Sequence, residues 1–155
     1  MQMNRRFSNL LIAGVPALMF AGMAVAAGQG TPAEAEALAN KAVAFLKANG
    51  PEKAAAEFTN GKSFKDRDLY VVYEKFDGTM LANGGNAKLV GKNLAEFKDA
   101  DGKLFNKMLV ETAKTKGKGW SESYKFINPV TQKIGDKIMY VERVDDAWIG
   151  VGVYK

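Results

Sequence analysis

The chain has 155 residues, enough for one small domain beside any leader, and its 47% hydrophobic and 25% charged content is ordinary for a globular protein. It contains no histidine and no cysteine, which excludes Ser-His-Asp and Cys-His catalysis, the usual zinc sites, haem held by histidine, iron–sulfur clusters and disulfides. The net charge of +5 is spread along the chain. No dense basic block interleaves with aromatics, so nucleic acid is not expected as a partner.

Residues 1–26 read as a secretory signal peptide. Arg5 and Arg6 supply a positive start, residues 7–25 are mostly apolar, and Ala24-Val25-Ala26 fits a peptidase site with cleavage before Ala27. Left uncleaved, the same run is nearly long enough to anchor the protein in a membrane. Residues 27–155 then form a single domain, expected in the periplasm or secreted. Without Arg5 and Arg6 the domain keeps 20 basic residues against 17 acidic, a mild positive balance that suits small anionic ligands.

Thr31-Pro32-Ala33-Glu34 opens a helix: Thr31 caps, Pro32 fits the first position and Glu34 completes a capping box. Ala35, Leu38, Ala42, Phe45 and Leu46 recur at helical spacing up to Gly50, and Pro51 starts a shorter helix through about Thr59. Residues 69–76 are rich in β-branched and aromatic side chains, and Asp77-Gly78 turns them into a second strand over residues 79–82. A loop at residues 83–86 leads through short turns to a helical stripe of Leu104, Met108, Leu109 and Thr112 or Ala113 that ends near Gly117. The last third is β. Residues 119–127 alternate with Trp120, Glu122, Tyr124 and Phe126 on one face, followed by strands over residues 136–144 and 147–154. In the final strand both side-chain sets are apolar or small, so it is buried on both faces. One face is expected to meet the N-terminal helix and the other a roof made by residues 84–117. The fold class is α+β, an antiparallel sheet of about five strands with helices on its faces.

No catalytic motif survives inspection. Lys75-Phe76-Asp77-Gly78-Thr79 partly matches a phosphatase loop, but Lys75 stands where the nucleophilic aspartate belongs; the segment reads as a hairpin turn. Asp99-Ala100-Asp101-Gly102 resembles part of a calcium loop, with Phe97 and Met108 where acids are required. Lys88 and Lys92 lack phosphate-loop spacing and are expected to be exposed. Neither an enzyme, a metal site nor a cofactor is expected. The aromatic residues are more informative, because a buried tyrosine hydroxyl needs a partner. Several tyrosines beside a lysine suit a pocket for a small polar ligand. Lys137, within a strand and three residues before Tyr140, is the best cation for it.

Phe76-Asp77-Gly78-Thr79, Leu89-Val90-Gly91-Lys92-Asn93, Gly119 with Tyr124, Phe126 and Asn128-Pro129, Lys137 with Tyr140-Val141, and Trp148-Ile149-Gly150-Val151-Gly152-Val153-Tyr154 follow one another in an order that resembles the single Cache domain, type 2 subclass. The resemblance implies a PAS-like fold, with a long N-terminal helix on a five-stranded antiparallel sheet. It also implies extracytoplasmic sensing of small molecules, often short organic acids. Asn83-Gly84 stands where many relatives carry His-Pro, and Phe126 where a tryptophan is frequent. The chain ends at Lys155, directly after the last strand, so a free-standing module is expected, with a membrane receptor or sensor kinase as its reader. The expected ligand-binding residues are Tyr73, Trp120, Tyr124, Phe126, Lys137 and Tyr140. Lys137 and Tyr140 are an odd number apart, so on a regular strand only one faces the pocket. The competing reading is a protein-interaction module whose pocket is closed by its own side chains.

Overall fold

The computed structural model describes residues 28–155; the expected leader, residues 1–26, lies outside them. Helix α1 (Pro32–Asn49) begins as its capping residues dictate. The Thr31 hydroxyl accepts from the Glu34 N–H, and the Thr31 N–H donates to the Glu34 carboxylate at 2.8 Å. Its start is tied to the sheet by the Gly30 N–H, which donates to the buried Asp68 carboxylate at 2.7 Å, and by an Arg67–Glu34 ion pair. The buried stripe of α1 is Ala35, Ala39, Ala42, Val43 and Leu46. Three alanines in that stripe bring the helix backbone close to the sheet, and Leu38 and Phe45 flank the contact half-buried. Gly50 ends α1, and α2 (Pro51–Asn60) follows at once, adding Ala54 and Phe58 to the same layer.

The sheet is antiparallel throughout. Its strands are β1 (Lys65–Asp66), β2 (Leu69–Lys75), β3 (Met80–Asn83), β4 (Lys118–Trp120), β5 (Tyr124–Ile127), β6 (Ile134–Val144) and β7 (Ala147–Tyr154). β1 and β3 share one side of β2, and β4 and β5 share one side of β6, so the seven strands occupy five positions: β3-β2-β7-β6-β4. Asp77 and Gly78 make the β2–β3 turn. Gly78 has φ 92°, and the Asp77 carboxylate accepts from the Thr79 N–H.

Central strand β7 is buried at all eight residues. Ile149, Val151 and Val153 meet α1 and α2 together with Leu69, Val71 and Tyr73 of β2. Trp148, Gly150, Gly152 and Tyr154 take the opposite face, where α3 (Phe105–Lys116) and the segment before it form the roof. Both layers expected for the two faces are therefore present. The expectation of one continuous strand over residues 119–127 is not met. β4 and β5 are separated at residues 121–123, where the Ser121 hydroxyl accepts from the Met139 N–H in place of a backbone carbonyl. Trp120 and Tyr124 consequently lie on opposite faces, Trp120 against Tyr140 and Tyr124 against Phe105.

Candidate functional site

Period-two alternation places Tyr70, Val72 and Glu74 of β2 on the roofed face. From β6 come Lys137 and Met139, and from β7 Trp148. The roof adds Leu89, Leu94, Phe105, Asn106 and Leu109. These side chains nearly fill the interior and leave a cavity of about 20 Å³, room for one small polar group. Outside it lies a half-open groove of about 600 Å³. Tyr70, Leu89, Leu94, Phe105 and Phe126 line both spaces and so form the partition between them.

Lys137 is 1% exposed. Its Nζ donates to the Tyr70 hydroxyl at 2.7 Å and lies 4.3 Å from the Tyr70 ring centre, 4.9 Å from that of Tyr154 and 5.2 Å from that of Phe126. This is an aromatic cage around a cation. Among the described residues no carboxylate forms an ion pair with it. The lysine crosses the sheet over Gly152, where a Cβ would come within 2.1 Å of its Cε. Gly152 thus marks a close approach of side chain to backbone. The Tyr154 hydroxyl donates to the Ile127 carbonyl at 2.7 Å and fixes its ring as a wall. Phe105 stacks on Tyr124 at 5.1 Å and packs edge-on to Phe126. Burial raises the Tyr124 hydroxyl well above the ordinary tyrosine range, so it stays a neutral hydroxyl.

Glu74 is fully buried on the same face and accepts from Asn106 Nδ2 at 2.8 Å. Its second oxygen, Oε2, and the indole Nε1 of Trp148 have no hydrogen-bond partner. Burial pushes the carboxyl up to about 7, against the lowering effects of Asn106 and the nearby indole. Because the folded-state value lies above the unfolded one, the folded protein binds the extra proton and stability falls as pH rises from about 4.5 to about 7. The loss across that window is about 3 kcal/mol. Glu74→Gln should flatten this part of the profile, as read by urea unfolding at pH 4.5, 6 and 7.5. An unchanged slope in the variant would assign the pH dependence to other groups.

Of the six expected binding residues, Tyr124, Phe126 and Lys137 line the inner cavity. Tyr73, Trp120 and Tyr140 do not; they pack into the layer beneath α1 and α2, with Tyr73 edge-on to Phe58 and Trp120 edge-on to Tyr140. The parity of residues 137 and 140 decides the last case: β6 is regular there, so Lys137 points to the roof and Tyr140 to the helices. Sequence reasoning passes over Tyr70, Glu74 and Gly152. An acid ending a continuous apolar run in β2, and small residues alternating with large ones in β7, are the available signals. Asp99 is a structural turn residue. Its carboxylate accepts from the N–H groups of Asp101, Lys103 and Lys125, and the Lys125 bond is the chief reason its carboxyl is held low. Lys88 and Lys92 are exposed, Lys88 on the outer groove.

The model of the single Cache domain 2 family matches residues 6–155. The chain belongs to this family. The match begins at Arg6, inside the segment expected to be a leader. Cache domains are sensory ligand-binding modules, and three solved structures share the fold. A methyl-accepting chemotaxis protein from Vibrio parahaemolyticus superposes with TM-score 0.66 at 22% identity, covering 79% of this chain and 86% of that one. The periplasmic sensor domain of a chemotaxis protein gives 0.62 at 20% identity, over 77% and 86%. A Cache chemosensory domain described for its carboxylic acid recognition gives 0.61 at 21% identity, over 77% and 84%. None of the curated proteins searched matches the chain. Among the described residues of this Cache domain, no helix is long and apolar enough to cross a membrane.

Proposed function

We propose that this Cache domain is an extracytoplasmic sensor module that binds a short organic carboxylate, with Lys137 as its anchor. The observation that carries this reading is a fully buried lysine without an acidic partner among the described residues. Burying an ammonium is expensive unless an opposite charge or strong hydrogen bonds accompany it. Tyr70 supplies one hydrogen bond and three rings supply a cage, which leaves two ammonium donors for an anion. A ligand carboxylate would complete the set, with Phe126 and Phe105 against its apolar part. It would enter from the outer groove by displacing the partition of Tyr70, Leu94, Phe105 and Phe126. That displacement is the change a membrane receptor or sensor kinase would read. The carboxylic acid recognition of a structural neighbour supports the ligand class, and the periplasmic neighbour supports the location.

The test is calorimetric titration of the purified protein with straight-chain carboxylates of two to six carbons, beside the corresponding methyl esters. The charged acids should bind and raise the unfolding temperature in a concentration-dependent way, and the esters should not. Absence of binding by every acid at millimolar concentration would contradict the proposal. It would favour the interaction-module reading, which draws on the small inner cavity and on the exposed Phe97, Ile127, Val130 and Ile134.

A further inference from the structure

The carboxylate reading uses only the Lys137 end of the interior. The other end is also polar, and its groups are not satisfied. Glu74 and Trp148 face each other across the β2–β7 pairing. They are 0% and 1% exposed and both line the inner cavity; the Trp148 indole N–H lies near enough to the Glu74 carboxyl to lower it, yet Glu74 Oε2 and Trp148 Nε1 make no hydrogen bond of good geometry to each other or to any other described group. Buried polar atoms are nearly always paired, and two orphans side by side on a cavity wall mark a place built for a polar group.

The chemistry of that group follows from the pair. The indole N–H only donates, and the carboxyl oxygen accepts. A hydroxyl serves both at once, accepting from Trp148 and donating to Glu74. An ammonium has no lone pair for the indole, and a second carboxylate would meet the Glu74 carboxyl. Glu74 lies four residues from Tyr70 on the same face of β2, so the hydroxyl site and the lysine cage stand at two ends of one space, with strand positions about 13 Å apart. The side chains reach inward from both ends and shorten that span.

We propose that Glu74 and Trp148 form a second subsite that selects short carboxylates bearing a hydroxyl at the far end of the chain. The inference rests on the carboxylate reading of Lys137 and adds the specificity of the opposite end. Since the cavity now measures about 20 Å³, such a chain enters only as Leu94 and Phe105 part from Tyr70 and Phe126. The apolar middle of the ligand then lies along Val72 and Met139, which line the same space.

The test compares three series of four to six carbons by calorimetry on the whole protein: plain acids, ω-hydroxy acids and ω-amino acids. For at least one chain length the hydroxy acid should bind ten times or more tighter than the plain acid. Glu74→Leu should erase that preference while leaving the plain acid within threefold, and Glu74→Gln, whose single acceptor oxygen faces the ligand when the Asn106 amide turns to accept from the new N–H group, should retain it. Circular dichroism and thermal unfolding confirm that both variants fold; Glu74→Leu leaves the Asn106 amide unpaired but frees the interior of a buried carboxyl, two effects that oppose each other. Equal affinity for plain and hydroxy acids would overturn the second subsite and leave the lysine anchor standing, as would tightest binding by the amino acids. Failure of all three series would overturn the anchor itself and the subsite with it.

Discussion

Lys137→Met should weaken carboxylate binding at least tenfold, and at least about a hundredfold if both free ammonium donors engage the ligand. Hydrogen bonds to charged groups are worth about 1.5–3 kcal/mol each in net terms, and the variant removes the charge together with the donors. The fold should survive. Methionine matches the lysine stem in length and volume, and the chain already lies against Tyr70, Phe126 and Tyr154. Two opposing effects set the stability. Losing the Tyr70 hydrogen bond and the cation–π contacts costs about 1–3 kcal/mol. Freeing the interior of a desolvated cation without an ion-pair partner returns a comparable amount. The variant should therefore unfold within about 2 kcal/mol of the parent. Retained affinity in a folded Lys137→Met protein would remove the lysine from the site.

Gly152→Ala should have nearly the same effect on binding without touching the lysine. An added Cβ would lie 2.1 Å from Lys137 Cε and 3.1 Å from Nζ, so the side chain must leave its present path over β7. The closest clashing atoms belong to the far end of a flexible chain, so the main relief is rotation of the lysine, while the Ile138 carbonyl oxygen, at 3.2 Å from the added Cβ, must give by only a few tenths of an ångström. Stability should fall by about 1 kcal/mol, at the low end for overpacking, while the ammonium loses Tyr70 and affinity falls at least tenfold. A double-mutant cycle with Lys137→Ala identifies the cause. In the Lys137→Ala background the Gly152→Ala substitution meets no lysine, and its stability cost should largely vanish. An equal cost in both backgrounds would place the strain in the β7 backbone.

The sequence pattern makes the layers of the fold readable because they depend on few rules. Thr31 to Glu34 starts the helix, Asp77-Gly78 turns the hairpin, and a final strand apolar on both sides must lie at the centre with something covering each face. The composition of the pocket is harder to read, because it depends on side-chain parity. A one-residue error moves a side chain to the other face. Sequence reasoning favours Tyr73 over Tyr70, three positions away in the same strand, and the structure puts only Tyr70 beside Lys137. Trp120 and Tyr124 are four apart and would share a face on a regular strand. The break at residues 121–123, made by a serine side chain standing in for a backbone partner, reverses that. Lys137 is legible as a cation in a strand; its burial is not, since that depends on Gly152 lying beneath it and on the rings of Tyr70, Phe126 and Tyr154 arriving from three different strands.

The roof differs in kind from the helix layer. Leu94 is held by its N–H donating to the Gly78 carbonyl, and the Asp99 turn is fastened to β5 by the Lys125 N–H. Few regular elements support residues 84–104, apart from one short turn at Ala87–Leu89. Segments of that kind open at lower free energy than a packed sheet. An interior that is almost filled but roofed in this way fits a site that opens to admit its ligand, and the polar groups inside are what the ligand gains on entry.

The most direct measurement is a crystal structure of the protein with a bound straight-chain carboxylate. The carboxylate should lie inside the partition, within hydrogen-bond distance of Lys137 Nζ and the Tyr70 hydroxyl, with Leu94 and Phe105 displaced outward. A carboxylate held instead in the outer groove by Lys88, Lys98 or Lys125, with the inner side chains unmoved, would contradict it.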